Sequence, residues 1–125
     1  MSDAYDKLPR KVWVGVHEFT LQAVPRTHPA LAPIHGPHPD DGACVFDPMG
    51  IFIADNMNQA ALLETVWHEL THAVNHACDI EEATEEEDIA DKHGKVWTQF
   101  WINNPRFSTW WTRNCIAVRK ERARA

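Results

Sequence analysis

The chain has 125 residues, 44% of them hydrophobic and 24% charged, with six Trp and a formal net charge of −6. That length holds one domain, residues 1–125, with one modest core, and the excess of acids opposes sequence-independent nucleic-acid binding, which rests on Lys and Arg neutralising phosphates. No apolar run reaches the ~18 residues of a membrane span, and the opening MSDAYDKLPRK carries charges where a signal peptide is apolar, so a cytoplasmic protein without membrane contact is expected.

Residues 12–24, VWVGVHEFTLQAV, are rich in β-branched and aromatic residues with partial alternation, which predicts one or two strands broken at Gly15. In the Pro-rich segment 25–43, Pro25, Pro29, Pro33, Pro37 and Pro39 forbid regular structure, and a long surface loop is expected. Its His28, His35 and His38 hint at a second metal site, but histidines separated by prolines are more often plain polar loop residues. Val45-Phe46-Asp47 and Ile51-Phe52-Ile53-Ala54 flank Pro48-Met49-Gly50, a turn between two apolar runs and hence a hairpin. The three cysteines, Cys44, Cys78 and Cys115, form no CxxC pair and are expected to be reduced thiols.

From residue 55 on the chain reads as helical. Asn56 or Asn58 can cap a helix running to about Cys78. Within it Leu63, Val66, Leu70, Ala73 and Ala77 recur at intervals of three and four, an apolar seam along one face. At about 100° per residue, His68 and His72 of the stretch HELTH project to nearly the opposite side, flanked by Ala61, Thr65 and His76, and so are not core fillers. With eight His in the chain, chance supplies about 0.04 matches to H-E-x-x-H, so the chemistry of the spacing has to decide. Histidines at i and i+4 present two imidazoles to one ion. Glu69 between them lies beside that ion, placed to take a proton from water.

A catalytic Zn²⁺ needs a third protein ligand and an open position, and two routes are available. In the first, an acid arrives from the next helix, which Thr84 and Glu87 open as a capping box. Projection of residues 85–102 puts Ile89, Ala90, His93, Val96, Trp97, Phe100 and Trp101 on one apolar arc, with Glu86 near its centre, Glu85 at its margin and Glu87 off it. A carboxylate aimed inward wants a partner, which favours Glu86 as third ligand over Glu82, Glu85, Glu87 and His93. In the second route Cys78, ten residues after His68, stands where metzincins carry a third His, with Asn75 at their turn position. That route requires the helix to stop near Asn75.

HELTHAVNHACDI, followed by EEEDIADKHGKVWTQFWINNPRFSTWW, resembles the small phage- and prophage-encoded HExxH metallopeptidase-like proteins, distant relatives of the ImmA/IrrE zincin domain. The similarity spans residues 44–111, including a two-strand segment like VFDPMGIFIAD before the HExxH helix and the elements Glu86-Glu87-Asp88-Ile89-Ala90 and Asn104-Pro105. It implies Zn²⁺ held by His68, His72 and a Glu matching Glu86, with Glu69 catalytic. The immunity proteases read E-x-x-A-N-x-F-A in the second helix, whereas this chain reads EEDIADKH without the Asn. Their immunity role is therefore not carried over.

Of the other residues, His76 could orient a ligand or stabilise the transition state, though an exposed helix-end His is the commoner case. His93 lies two turns beyond Glu86, about 10 Å along the axis, and either lines the cleft or sits satisfied in the core. Trp97, Trp101, Trp110 and Trp111 read as packing. The basic tail 113–125 reads as a solvated helix end, with nucleic-acid contact a lesser option. The expectation is an α+β, minimal zincin-like domain: an N-terminal hairpin or small sheet on the HExxH helix and a second ligand-bearing helix, then a C-terminal helical segment. Its expected activity is zinc-dependent hydrolysis of a peptide or protein substrate. The alternative is a non-catalytic phage or prophage module whose zinc-stabilised fold contacts a host protein or nucleic acid.

Overall fold

The computed structural model describes residues 3–33, 36–80 and 86–124, without the side chains of residues 3, 86–88, 90, 91 and 94. The described chain is a mixed α+β domain. A short helix α1 (Asp3–Asp6) leads into β1 (Lys11–Val14) and β2 (His17–Val24), and β3 (Gly42–Phe46) and β4 (Met49–Ala54) follow the Pro-rich segment. Three helices complete it: α2 (Gln59–Ala77), α3 (Glu86–Asn103) and α4 (Pro105–Arg124).

The four strands form one sheet in the order β1-β2-β4-β3. β1 and β2 pair antiparallel across the turn Gly15-Val16, where Gly15 has a φ of 61°, a conformation glycine adopts without steric cost. β2 and β4 run parallel, which requires a crossover, and the Pro-rich segment with β3 supplies it. That segment is more regular than its prolines suggest. Pro29–Leu31 form a 3-10 turn with proline at its start, where no N–H is needed, and His28 Nδ1 caps it by accepting from Ala30 N at 3.0 Å. Leu31 is fully buried against Val24 and Ala54.

The hairpin is longer than the sequence indicates. β3 starts at Gly42 rather than Val45, and Phe46 pairs with Met49, so the turn is Asp47-Pro48. Met49 and Gly50 belong to β4, because proline alone of these residues lacks the N–H that a ladder uses.

α2 begins at an N-cap, Asn58, whose side chain accepts from Ala61 N at 2.9 Å. Asn56 instead accepts from Arg26 Nε at 2.8 Å. The seam of α2 lies on the sheet: Leu63, Val66, Leu70 and Ala73 pack with Val12, Val14, Phe19, Leu21, Ile51 and Ile53. Leu62 and Val74 widen it, and Ala77 is half-buried. Aromatic rings join the helices. Trp67 of α2 stacks on Trp97 of α3 at 4.5 Å and 3°, and lies 5.2 Å from Trp111 of α4. Trp110 is buried and donates through Nε1 to Ala4 O at 2.9 Å, so the tryptophans of α3 and α4 do pack the core and its margins.

Asn104, buried between α3 and α4, holds the outer edge of the sheet. Its Oδ1 accepts from Trp13 N at 2.9 Å, and its Nδ2 donates to Trp13 O at 2.9 Å and Phe100 O at 2.8 Å. One side-chain amide thus stands in for a strand partner of β1. Among the described residues no helix is long and apolar enough to cross a membrane, and the three cysteines are free.

Candidate metal centre

With the seam of α2 committed to the sheet, His68 and His72 are left at the surface one turn apart. Their Nε2 atoms face each other at 3.2 Å, with ring centroids 4.9 Å apart. Two nitrogens bound to one tetrahedral Zn²⁺ at about 2.0–2.1 Å each stand about 3.3 Å from one another. The pair is therefore spaced as an ion would require. Glu69 completes the group, since one donor atom from each of His68, Glu69 and His72 lies within 4.8 Å of the others.

Glu69 is turned toward β3 and is only 6% exposed. Among the described residues its carboxylate has neither a hydrogen-bond partner nor an ion pair. Burial pushes its pKa above the ordinary Glu value, His68 pulls it back, and Asp40 raises it again. A buried carboxylate without a partner is costly, and such a cost marks a site that receives something. His72 is shifted the other way: burial, then the charge of His68, lower its pKa and favour the neutral imidazole that binds metal.

The three side chains open into a cleft of about 550 Å³ between α2 and β3, whose walls include Asp40, Gly42, Ala43, Cys44, Phe46 and Glu64. Asp41, also in the wall, is paired with Arg26 at 2.8 Å. The Cys44 thiol is pushed up to about 12 by burial and by Glu69, so it stays protonated. Asp40 and Cys44 are not predictable from the sequence because no spacing rule links a strand and its preceding loop to a helix, and only the pairing of β3 on β4 brings them there; Glu64, one turn before His68 on α2, could have been found from its i, i+4 spacing.

At Gly42, β3 passes close to the helix. A Cβ there would lie 2.8 Å from Thr65 Cγ2, 3.0 Å from Glu69 Cγ and 3.1 Å from Glu69 Oε2. Gly42→Ala is therefore expected to destabilise the protein by about 1–3 kcal/mol, the cost of overpacking, and to displace Glu69. Urea unfolding checks the first effect. An unchanged midpoint would show that β3 is free to move away.

The other candidates are placed as follows. Cys78 caps the C-terminus of α2, is buried in the core, and lies outside the His68–Glu69–His72 group; α2 runs through Asn75 to Ala77 instead of turning there, since the seam continues to that end. His93 Nε2 is 2.7 Å from Asn75 Oδ1. His76 is exposed and stacks on Phe46 at 4.3 Å, with His17 at 5.6 Å. Glu86 is the first residue of α3, but its side chain, that of Glu87, and all of Glu82, Thr84 and Glu85 lie outside the described residues. His28 is a turn cap stacked on Phe52 at 5.1 Å, and His35 also lies outside the described residues. No family model, curated protein or solved structure matches the chain.

Proposed function

We propose that the protein is a zinc-dependent metallopeptidase of minimal zincin-like form. The observation that carries this reading is the conjunction of two facing imidazole nitrogens at 3.2 Å with a buried, unpartnered carboxylate in the same cleft. The donor set, two His with Glu86 as the third ligand, suits Zn²⁺. Bound there, Zn²⁺ would polarise the scissile carbonyl and acidify water. The chain's own groups do the rest. Glu69 accepts a proton from the attacking water and returns it to the nitrogen of the leaving amine. Among the described residues β3 pairs only with β4, so its other edge, along the cleft, offers backbone hydrogen bonds to an extended peptide. A module whose zinc merely supports the fold has no use for a carboxylate beside the metal, and such sites are usually closed by four protein ligands. Glu69 thus favours the enzyme.

Protein purified without chelator is expected to hold about one Zn²⁺ per chain, and His68→Ala/His72→Ala to hold none. Glu86→Gln is expected to weaken binding by at least about 100-fold, more than loss of a group that merely supports a ligand. Metal analysis and competition with a chromogenic chelator measure both. Stoichiometric zinc in the double variant would remove the site; full affinity in Glu86→Gln would move the third ligand to Glu82, Glu85, Glu87 or His93.

A further inference from the structure

A concentration of positive charge lies in a second cavity, of about 970 Å³, where residues 6–13 meet the junction of α3 and α4. Lys7, Arg10, Lys11, Arg106 and Arg113 line it, five of the twelve Lys and Arg of an acidic chain, accompanied by one acid, Asp6. Lys11 is paired with Glu18 at 3.5 Å. Among the described residues the other four form no ion pair. Gathering like charges without counter-charges costs self-repulsion, although the chain has eighteen acids from which partners could have been drawn.

Two further observations point to the same kind of ligand. The cavity contains the start of α4, where Pro105 has no N–H and Asn104 has committed its side chain to β1. The first amides of α4 are therefore left for an anion, at the positive end of the helix dipole. Trp13, on the edge strand β1, is 45% exposed in the same cavity. An exposed indole among unpaired cations matches the combination by which single strands are held: phosphates on Lys and Arg, bases against an aromatic face.

We propose that this cavity binds single-stranded nucleic acid, with phosphates on Lys7, Arg10, Arg106 and Arg113 and a base on Trp13. An acidic peptide would use the cations but leave the indole without a role. The overall charge of −6 does not prevent this. At physiological ionic strength a charge is felt over about 8 Å, so the local balance governs: with Lys11 set against Glu18, four cations face Asp6. The site is separate from the HExxH cleft and does not depend on peptidase activity.

The test is fluorescence anisotropy of a labelled twelve-nucleotide oligothymidylate with the protein as purified. Binding is expected to weaken with salt with a log–log slope of about −3, from four phosphates neutralised on a single strand. Arg10→Ala/Arg113→Ala should weaken binding at least about tenfold and flatten that slope by about 1.4, and Trp13→Leu should weaken it about fivefold or more. Arg119→Ala/Arg122→Ala, on α4 outside this cavity, should change nothing; unchanged thermal melting of each variant confirms the fold. No binding in 50 mM salt, or equal binding by Arg10→Ala/Arg113→Ala, overturns the proposal. Equal competition by a polyglutamate peptide, with Trp13→Leu without effect, makes it an acidic-peptide site instead. Binding to phosphatidylserine vesicles but not to the oligonucleotide overturns it in favour of a membrane surface.

Discussion

Glu69→Gln is expected to abolish peptide cleavage, by at least about 100-fold, while leaving zinc content unchanged and making the metal-free protein more stable. The first effect follows because glutamine keeps size and hydrogen bonding but cannot accept and return a proton. The second follows from burial. The folded state holds Glu69 at a raised pKa, chiefly by desolvation, so it binds its proton more tightly than the unfolded chain does. The contribution of Glu69 to the stability of the metal-free wild type is accordingly highest below the ordinary Glu range and is lost as pH rises through that range toward the folded value. Glutamine has no charge to desolvate, and its advantage, on the order of 1 kcal/mol, should be present at pH 7.5 and absent near pH 4. Cleavage of a mixed peptide library with and without chelator tests the first effect, and urea unfolding of chelated protein at both pH values tests the second. Chelator-sensitive cleavage that persists in Glu69→Gln would refute the proton-transfer role. Equal stability of the two chelated proteins at pH 7.5 would mean that the carboxylate is not desolvated.

Asn104→Ala should produce the largest loss of stability among these single substitutions. It removes three hydrogen bonds at once, each worth about 0.5–1.5 kcal/mol net, and strips both polar groups of Trp13 at the sheet edge. A loss of about 2–4 kcal/mol is expected, or a fall of about 10 °C in Tm for a domain of this size. Thr109→Ala is the matched control, because its exposed hydroxyl donates back to Pro105 O within the helix and its loss should be nearly neutral. A Tm for Asn104→Ala within 2–3 °C of wild type would show that water replaces the amide at little cost.

The parts of this molecule that were legible in the sequence are those governed by local chemistry and local period. The break at Gly15 and a cap at Asn56 or Asn58, of which the structure uses Asn58, follow from the local chemistry of those residue types, and the seam from Leu63 to Ala73 and the outward projection of His68 and His72 follow from a repeat of 3.6 residues. What was not legible depends on pairing between distant segments. Nothing in Pro-Asp-Asp-Gly announces that Gly42 must pass within contact of Glu69, or that Asp40 will bias its charge. Asn104-Pro105 was noticed as a fragment of a resemblance, yet its physical role, a helix break whose side chain caps a strand 91 positions earlier, emerges only from the fold. Proline as a breaker predicts an irregular Pro-rich segment, yet at Pro29 it starts a turn that buries Leu31.

The side-chain contacts that reach farthest along the chain among the described residues, Trp110 to Ala4 and Asn104 to Trp13, set an order of events during synthesis. Residues 4 and 13 leave the ribosome early and wait for partners made about a hundred positions later, at roughly 5–20 residues per second. Throughout that interval the outer edge of β1 is unprotected, a template for pairing with any neighbouring nascent chain. The outer edge of β1 is thus closed only by a residue from the junction of α3 and α4, and the hazard of misassembly lasts until Asn104 arrives.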